Sequence, residues 1–458
     1  MAFRISEIVA TNMGTFFRKP KEDNYFDKVQ VDSRKIKSGD AFWALPGKKV
    51  DGHNFIEIAI ESGATLLCIR GDMYQEFQSD WERLFHKEDL VVWIVDDTLS
   101  ALHTLAKQRM SKYQGLRIGV TGSNGKTSTK EMLASVMTRW KTTFVTPGNL
   151  NGDIGLPMSV LEMNSECDIA IFEMGTNQLG EISLLADIVK PQFAIVTNIG
   201  SAHIGIFKTK DHIAKEKSEI FKYFNDESIA VTDHSPEILN IIKKYPGKYY
   251  TYDLSKLEII SLDFEGSQFV YKDQKYQLNL LGLHNIHNAM EVIELASMLN
   301  VPTPCIVDGL ASVEADFGRL EVIREGTHTF VQDCYNSNLE SMSALITLLN
   351  TLTTRDKNLI LIVGGMKELG EHTEEQHQQL GEKLHSVKFN QLYLIGTETI
   401  NIYKSFDEPL NVYWARSVDP VVDQIINNIT DNSLVVVKGS RSYELEKIYN
   451  KYHSQGTY

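Results

Sequence analysis

Short apolar runs separated by amphipathic stretches recur along the middle of the chain. Four runs lie at the spacing of β-α-β units, with helical patterns such as Lys130–Trp140 and Lys210–Phe224 between them. The runs are Arg117–Val120, Ile169–Phe172, Phe193–Thr197 and Ile229–Thr232. Near-continuous apolar strands that alternate with helices are typical of a parallel sheet covered on both faces. The middle of the chain is therefore predicted to form such a sheet.

The pattern differs on either side of this region. Before residue 98, strand-like runs alternate with glycine-containing turns and one helical stretch, Phe55–Ser62, which predicts a small α/β module. Its strands are predicted at Lys28–Val31, Ala41–Leu45, Thr65–Ile69 and Leu90–Val95. After residue 312 the rhythm of strands and helices restarts and predicts a second doubly wound sheet. Those strands are predicted at Thr329–Gln332, Leu359–Val363, Gln391–Ile395, Asn411–Trp414 and Leu434–Val437.

Further segments frame the central sheet. The amphipathic stretch Leu99–Tyr113 predicts a helix that leads into it. Residues Lys248–Leu283 break the rhythm with alternating β-like residues, which predicts a hairpin insert, and a predicted helix at Asn285–Leu299 follows. A chain of 458 residues exceeds what one hydrophobic core usually supports. We therefore predict an α/β fold of three domains, at residues 1–98, 99–312 and 313–458.

Composition narrows the classes of function. A net charge of −14 argues against a general nucleic-acid or anionic-membrane binder, because either needs an extended basic face. The first residues lack the apolar core of a signal peptide, and no apolar run is long enough to span a membrane. We expect a cytoplasmic, monomeric protein whose partners are small molecules.

The most informative motif is T-G-S-N-G-K-T-S at Thr121–Ser128, directly after the first central strand. A strand that ends in a glycine-rich loop and opens a helix binds phosphate through loop N–H groups and the helix N-terminus. In such a loop the lysine, here Lys126, reaches the β/γ-phosphates, and the hydroxyl of Thr127 holds Mg²⁺. The predicted phosphate site consists of Gly122, Ser123, Asn124, Gly125, Lys126, Thr127 and Ser128. The first glycine of the general P-loop pattern is missing, since that position is Val120.

Polar residues near the next strand ends extend this site. Glu173 ends the second clear central strand and His203 follows the third, where ligands converge in a doubly wound sheet. Each alone could be an exposed or structural residue, but the phosphate loop favours a metal-binding role. Asn285 and Asn288 stand at the start of a helix, either as caps or as partners of a purine edge.

Charged residues elsewhere are weaker candidates. Arg319 suits a polyphosphate, and Asp333 at a strand end suits ribose hydroxyls. The charged helix His212–Glu219 carries Lys217, and the ordinary interpretation of its lysines is solvated charge. We interpret the acidic, histidine-rich stretch Glu368–His377 as a loop and helix rather than a metal cluster.

Seven segments occur in a fixed order along nearly the whole chain. They are G-V-T-G-S-N-G-K-T, T-P-G-N-L-N-G-D-I-G-L-P, F-E-M-G, T-N-I-G-S-A-H, H-N-I-H-N-A, G-R-L-E and V-K-G-S-R. In these segments the chain resembles the Mur ligases, the ATP-dependent amide-bond ligases of peptidoglycan precursor synthesis. The shortened phosphate loop is characteristic of that superfamily. The resemblance implies a P-loop ATPase-like central domain between an N-terminal substrate-binding domain and a C-terminal Rossmann-like domain.

Four further segments resemble one branch of that family. They are Asp32–Phe42, Asp51–Phe55, Asp333–Asn338 and Gly364–Gly370. That branch joins D-alanyl-D-alanine to UDP-N-acetylmuramoyl-tripeptide through an acyl phosphate. The alternatives are another ligase of the superfamily, such as the one that adds the third residue or a folylpolyglutamate synthetase, and a catalytically silent nucleotide-binding homologue. The segments D-S-R and Y-N-S-N disfavour another ligase of the superfamily. The joint presence of Lys126, Glu173, His203 and Lys217 disfavours a catalytically silent homologue.

The resemblance implies a role for each matching residue. The expected catalytic set is Lys126, Glu173, His203 and Lys217. Magnesium would be organised by Thr127, Glu173, His203 and a carbamylated Lys217. The nucleotide would also meet Asn285, Asn288, Arg319 and Asp333. The UDP end of the substrate would meet Ser33 and Arg34, the muramyl-peptide channel would include Asn149 and Asn151, and the dipeptide pocket Asn336 and Asn338.

Overall fold

The computed structural model describes residues 3–18, 20, 24–47, 50–86, 89–352, 357–406 and 411–455. Within these ranges the chain forms three consecutive regions, each built on its own larger sheet. None of the helices in these ranges combines the length and the apolar character that a membrane crossing requires.

The N-terminal region is a five-stranded sheet with short helices. The strands are β1 Phe3–Arg4, β2 Thr15–Phe16, β3 Tyr25–Phe26, β4 Val29–Gln30, β5 Ala41–Trp43, β6 Leu66–Arg70 and β7 Val91–Val95. The helices are α1 Ile5–Val9, α2 Ile56–Glu61, α3 Gly71–Glu76, α4 Gln78–Leu84 and α5 Thr98–Lys112. The sheet order is β2-β7-β6-β5-β4, parallel except for β2, while β1 and β3 pair separately. The predicted strands and helix of this region are confirmed, with small differences at their ends.

Two tryptophans connect this sheet to the helix that leads into the central region. Trp43 and Trp93 are fully buried and meet edge to face, with 5.7 Å between ring centroids. The indole N–H of Trp43 donates to the carbonyl of Thr98, the first residue of α5, at 2.9 Å. Because large buried aromatic rings contribute much apolar contact area, this cluster holds α5 firmly against the sheet.

The central region is a parallel sheet followed by a small antiparallel one. The strands are β8 Leu116–Thr121, β9 Thr143–Val145, β10 Ile169–Glu173, β11 Phe193–Val196, β12 Ile229–Thr232, β13 Lys248–Tyr250, β14 Leu257–Asp263, β15 Gly266–Tyr271 and β16 Gln274–Leu278. The helices are α6 Lys126–Thr138, α7 Gly155–Glu162, α8 Glu181–Val189, α9 Ile204–Phe207, α10 Lys210–Ser218, α11 Pro236–Ile241, α12 Leu283–Met298 and α13 Thr303–Ala311. The parallel order β13-β12-β11-β8-β10-β9 confirms the predicted parallel sheet and places β8 between β10 and β11.

The predicted insert is wrong in two respects. Residues Lys248–Tyr250 pair parallel with β12 and form an edge strand of the central sheet. The remainder is a three-stranded antiparallel meander, β14-β15-β16, rather than a hairpin. A three-residue edge strand carries too little periodicity to separate it from the alternating strands that follow, so the pattern merged the two. Helix α10 is also shorter than predicted, because residues 219–221 continue it as a 3-10 turn.

The C-terminal region repeats the doubly wound design. Its strands are β17 Glu321–Glu325, β18 His328–Asp333, β19 Asn358–Gly364, β20 Gln391–Ile395, β21 Val412–Ala415 and β22 Ser433–Lys438. Its helices are α14 Leu339–Thr351, α15 Thr373–Leu384, α16 Ile400–Tyr403, α17 Val422–Asn427 and α18 Lys447–Ser454. The order is β17-β18-β22-β19-β20-β21, antiparallel only at β17. The five predicted strands are confirmed, and β17 is an additional strand that the sequence pattern did not reveal.

The sheet orders decide which loops can meet. In parallel sheets the carboxyl ends of neighbouring strands lie at the same edge. In the central sheet this edge carries the loops after β8, β10 and β11, and in the C-terminal sheet the loops after β18, β19 and β22. One hydrophobic cluster includes buried side chains of both regions, among them Ile204 and Leu369. The two carboxyl edges therefore border a shared cleft.

Candidate active site

The loop after β8 has the backbone shape of a phosphate cradle. Gly122 has φ +151°, and a Cβ atom there would lie 1.9 Å from Thr197 Oγ1, so no side chain fits. Gly125 has φ +78° and caps the N-terminus of α6. Side chains after β11 hold the loop: Asn198 Oδ1 accepts from the N–H of Asn124 at 3.0 Å, and Thr197 Oγ1 donates to its carbonyl at 2.5 Å.

Lys126 lies folded back over this loop. Its Nζ donates to the carbonyls of Gly122 at 2.9 Å and Ser123 at 3.3 Å. Burial lowers the pKa of Lys126, while the charge of Glu173 raises it and that of Arg319 lowers it. Across the described ranges, no carboxylate lies at salt-bridge distance from this ammonium group. A cation held only by carbonyl dipoles suits an incoming anion such as phosphate.

Glu173 lies at the end of β10 with its carboxylate in a defined orientation. The residue is 1% exposed. Its Oε2 accepts from Thr127 Oγ1 at 2.9 Å and lies 3.7 Å from Lys130 Nζ, and its Oε1 accepts from Asn151 Nδ2 at 2.6 Å. The hydroxyl and carboxylate predicted to organise magnesium are therefore in direct contact.

Lys217 lies on α10 close to Lys126 and is 1% exposed. Burial and the charge of Lys126 lower its pKa well below the ordinary value, whereas Glu216 acts in the opposite direction. Glu216 itself accepts from the backbone N–H groups of Gly180 at 2.8 Å and Ile182 at 2.9 Å. No carboxylate among the described residues lies at salt-bridge distance from Lys217 Nζ. The environment therefore favours the neutral amine.

His203 follows β11 in a left-handed conformation, with φ +62°. Its Nδ1 lies 2.6 Å from Oε2 of Glu368, which belongs to the loop after β19 in the C-terminal region. The two atoms are close but poorly aligned, because Nδ1 has no partner with full hydrogen-bond geometry among the described residues. The close contact with His203 and its charge lower the pKa of Glu368 against the effect of burial.

The C-terminal region contributes charged and aromatic groups to the cleft. Lys438 Nζ donates to Asp333 Oδ2 at 2.5 Å, where β22 pairs with β18. The guanidinium of Arg319 lies over the ring of Tyr335, 4.1 Å from its centroid. Burial lowers the pKa of His284 to about 4, although Asp333 acts in the opposite direction. The cleft therefore contains a neutral imidazole and an ion-paired carboxylate.

These groups border a cavity of about 410 Å³. Its walls include most of the predicted residues: Ser123, Asn124, Gly125, Lys126, Thr127, Ser128, Asn151, Glu173, His203, Asn285, Asn288, Arg319, Asp333 and Asn336. Asn285 Nδ2 donates to the carbonyl of Leu281 at 2.8 Å, and Asn288 Nδ2 to Asn285 Oδ1 at 3.3 Å. Both asparagines are nearly buried, and their side chains are hydrogen-bonded at the start of α12 where it borders the cavity.

A second cavity of about 790 Å³ continues from the first. Both share Thr127, His203, Arg319 and Asn336, and the second adds Asn149 and three basic or aromatic groups, Lys367, Arg441 and Phe317. The guanidinium of Arg441 lies 5.0 Å from the ring centroid of Phe317.

Five predicted residues border neither cavity: Gly122, Lys217, Asn338, Ser33 and Arg34. Asn338 caps α14 by accepting from the N–H of Ser341 at 2.9 Å, and its Nδ2 donates to Asn124 Oδ1 at 2.7 Å. It therefore joins the phosphate loop to the C-terminal region. Ser33 and Arg34 form a 3-10 turn of the N-terminal region and border neither cavity. The Arg34 side chain is 86% exposed and ion-paired with Asp32.

Sequence reasoning missed several residues of the cleft. Lys438 could have been found, because it ends an apolar strand and opens the V-K-G-S-R segment. Glu340 accepts from Ser201 Oγ at 2.6 Å and pairs with Lys210 at 3.1 Å, and Glu368 contacts His203. These contacts join two regions distant in sequence, so no local pattern indicates them. The described residues also hold no cluster of three or more His, Cys, Asp or Glu side chains arranged as a metal site.

Comparison with known proteins identifies the family. Residues 120–296 match the Mur ligase middle domain, residues 318–441 the Mur ligase glutamate ligase domain, and residues 26–110 the Mur ligase family catalytic domain. The UDP-N-acetylmuramoyl-tripeptide–D-alanyl-D-alanine ligase of Treponema pallidum is 33% identical over 466 residues, which cover 98% of each chain.

Solved structures of MurF enzymes are also similar to this chain over nearly its whole length. MurF from Acinetobacter baumannii matches with a TM-score of 0.87 and 26% identity, covering 99% of both chains. The MurF ligase of Thermotoga maritima in complex with ADP matches with a TM-score of 0.78 and 26% identity, covering 93% of this chain and 97% of that one. These matches confirm the predicted α/β fold with three domains, whereas the boundaries at residues 98 and 312 stay predictions. The chain belongs to the Mur ligase family and is most like its MurF members.

Proposed function

We propose that this protein is an ATP-dependent ligase that joins D-alanyl-D-alanine to UDP-N-acetylmuramoyl-tripeptide in peptidoglycan precursor synthesis. The near full-length similarity to ligases of that name supports the substrates. One structural observation carries the chemistry: a single cavity brings the phosphate-loop cation Lys126 together with Glu173 and with Arg319 of the C-terminal region. That arrangement suits phosphoryl transfer to a carboxylate.

An amide does not form readily from a carboxylate and an ammonium group in water. The terminal carboxylate of the tripeptide would attack the γ-phosphorus of ATP, releasing ADP and leaving an acyl phosphate. The amine of the dipeptide would then attack the acyl carbon, release phosphate and lose a proton. Both first reactants are negative, so cations must reduce their repulsion and stabilise the transferring group. Lys126 and Arg319 have the charge and the position for this role.

The donor set also fits magnesium. Mg²⁺ prefers oxygen ligands and is usually held by one or two carboxylates together with substrate phosphates. The buried Glu173 carboxylate in contact with the Thr127 hydroxyl offers such oxygens, and His203 borders the same cavity. When bound, magnesium would neutralise phosphate charge in addition to Lys126 and Arg319.

Lys217 is suited to carbamylation. Its burial and low pKa favour the neutral amine, which can add carbon dioxide to form an N–C bond and release a proton. The product is a carboxylate in place of a buried cation, next to the ammonium of Lys126. Such a group would supply a further acidic ligand for a metal ion.

The second cavity is the proposed site of the dipeptide. A dipeptide needs its amine near the acyl phosphate and a cation for its carboxylate. The lining of this cavity includes Thr127 and His203 as well as the cations Lys367 and Arg441. Asn149 and Asn336 border it and would contact the peptide chains. Asn338 would act by capping α14 and holding the phosphate loop.

Ser33 and Arg34 are proposed to bind the UDP end of the substrate from the N-terminal domain. The backbone N–H of Arg34 and its guanidinium both donate to Asp32, at 3.1 Å and 2.8 Å, so the turn is held in a fixed shape. The guanidinium remains largely exposed and can pair with a diphosphate.

A coupled phosphate-release assay tests the proposal. Purified protein with ATP and Mg²⁺ should release phosphate only when UDP-N-acetylmuramoyl-tripeptide and D-alanyl-D-alanine are both present. Turnover on a folate or on a free amino acid, without turnover on this pair, would show a different ligase of the superfamily. Nucleotide binding without turnover on any of these substrates would show a silent homologue.

A further inference from the structure

The loop after β19 packs directly on the loop that carries His203. The backbone N–H of Gly205 donates to the carbonyl of Glu368 at 3.0 Å. Gly205 and Gly370 pack so closely that a Cβ atom at Gly205 would lie 2.5 Å from the nitrogen of Gly370. The C-terminal domain therefore contacts the His203 loop through backbone as well as side chain.

Both residues of the side-chain contact adopt unfavourable backbone conformations. His203 has φ +62° and Glu368 has φ +63°. The left-handed conformation is sterically unfavourable for a non-glycine residue. Two such residues face each other across the domain boundary, with Nδ1 and Oε2 2.6 Å apart. Surrounding packing must hold them there, and backbone strain of this kind is concentrated at functional sites.

A neighbouring ion pair provides an internal contrast. Lys208 and Glu371 span the same boundary at 3.6 Å, but their side chains are 57% and 70% exposed. The side chain of His203, by comparison, is 14% exposed and borders both cavities. Of these two pairs, only His203 and Glu368 border a cavity.

We propose that Glu368 is a positioning residue that orients the imidazole of His203. A carboxylate that accepts from Nδ1–H fixes the ring tautomer and leaves Nε2 as the free ligand atom. The inference rests on the proposed metal-binding role of His203. Apo contacts of this type are often poorly aligned and tighten when the ligand binds.

Because Glu368 belongs to the C-terminal domain, it would couple metal binding to the docking of that domain on the central one. The metal ligand is fully oriented only when the C-terminal domain lies on the central one. By linkage, metal binding must then favour the docked arrangement to the same extent. The site would thus become competent for phosphoryl transfer only when the dipeptide-binding domain is in place.

The test measures Mn²⁺ affinity in the presence of ADP, by the paramagnetic resonance signal of free Mn²⁺. The variants are His203→Ala, Glu368→Ala, Glu368→Gln and the double variant, with Glu371→Ala as the matched control at the same boundary. Loss of a residue that orients a metal ligand typically weakens affinity about 10- to 100-fold. We expect about tenfold for Glu368→Ala, a smaller loss for Glu368→Gln, which keeps an acceptor oxygen, and no change for Glu371→Ala. The double variant should bind no more weakly than His203→Ala.

Small-angle scattering on the same proteins reports domain docking. Mn²⁺ with ADP should compact the wild type and Glu371→Ala more than Glu368→Ala. If His203→Ala weakens Mn²⁺ binding and Glu368→Ala does not, the positioning role is wrong and the proposed metal site stands. If neither variant weakens binding, the metal role of His203 fails and this inference fails with it. Equal losses in Glu368→Ala and Glu371→Ala would show general loosening of the boundary and overturn the inference.

Discussion

The two doubly wound sheets border the same cleft, but the cations that each contributes differ in whether a carboxylate pairs with them. On the central sheet Lys217 is buried and Lys126 is half-buried, and neither has a carboxylate of the described chain at salt-bridge distance. On the C-terminal side three of the cleft cations are ion-paired, Lys438 with Asp333, Lys367 with Glu398 and Arg441 with Glu446, whereas Arg319 lies over the ring of Tyr335. Similar architecture therefore supports two electrostatic designs.

The difference indicates what each edge is for. A buried cation without a counter-charge is unfavourable, so the central edge sacrifices stability to attract an anion. A paired cation adds structure and can share its charge with a ligand without large reorganisation. The central edge is thus suited to phosphate chemistry, and the C-terminal edge to positioning the neutral or zwitterionic parts of the substrates.

The largest effect is expected from a substitution of Lys126, the cation of the central edge that has no carboxylate partner. Lys126→Met removes the cation that would meet the γ-phosphate, so activity should fall about 10³-fold, the upper range for loss of one transition-state-stabilising group. Because this cation has no carboxylate partner, the melting temperature should stay level or rise. Lys130→Met is the matched control for stability: Lys130 lies 2.9 Å from Glu131 and 3.7 Å from Glu173, so its loss should lower the melting temperature. A fall in stability of the same size in both variants would contradict the comparison.

The next effect concerns Lys217. Lys217→Ala should reduce phosphate release by about 10²-fold, as expected for one electrostatic group at the reacting centre. If the functional form is a carbamate, formate or acetate should restore part of the activity, because a small carboxylate can occupy the vacated space. Lys215→Ala, on the exposed face of the same helix, should be fully active and insensitive to formate. Wild-type activity in Lys217→Ala would exclude the assigned role.

A smaller effect is expected where the cation is paired. Lys438 is 2% exposed, and Lys438→Met leaves Asp333 without its cation, which should destabilise the C-terminal domain by about 3 kcal/mol. Lys447 pairs with Asp419 and Glu444 at the surface, so Lys447→Met should leave the unfolding midpoint unchanged. Urea unfolding followed by a probe in the C-terminal domain measures both. Equal midpoints for the two variants would contradict a structural role for the Lys438 pair.

The sequence predicted the central edge better than the C-terminal edge. The phosphate loop and Glu173 follow an apolar strand directly, so local pattern and general chemistry suffice to place them. Strand β12 also occupies the predicted residues Ile229–Thr232. The edge strand β13 has only three residues, and β17 reads Glu-Val-Ile-Arg-Glu, which neither alternates nor forms an apolar run, so neither strand gives a clear periodic signal.

Contacts between domains escaped prediction for a different reason. Asn338 was expected near the dipeptide, but it caps α14 and hydrogen-bonds Asn124 across the boundary. Glu368, in the loop after β19, contacts His203, and Glu340, in α14, contacts Ser201. In both pairs the two residues are more than 130 positions apart in the sequence. Such contacts depend on how two sheets pack, and periodicity within one strand or helix carries no information on that packing.

The smallest effect is expected at Tyr443, in the loop after β22. Its ring occupies the space beside two glycines, since a Cβ atom at Gly365 or Gly396 would lie 2.6 Å from it. Burial raises the pKa of Glu398, but hydrogen bonds from Lys367 and Tyr443 outweigh burial and lower it to about 2. A carboxyl group with a lowered folded-state pKa stabilises the fold above its ordinary pKa near 4.5, and the stabilisation disappears as pH falls through about 2.

Tyr443→Phe keeps the ring and removes the hydroxyl that donates to Glu398 at 2.5 Å. A hydrogen bond to a charged group contributes up to about 3 kcal/mol, and partial exposure of Glu398 reduces this to about 1 kcal/mol. The variant should therefore unfold at lower urea than the wild type between pH 5 and 7, and the gap should narrow toward pH 3 as the carboxylate of the variant becomes protonated. Tyr413→Phe, on the neighbouring strand β21, is the matched control and should show a gap that does not change with pH. If the difference in urea unfolding between Tyr443→Phe and the wild type widened on acidification, Glu398 would not be held as a carboxylate. The ion pair between Lys367 and Glu398 would then no longer support the comparison.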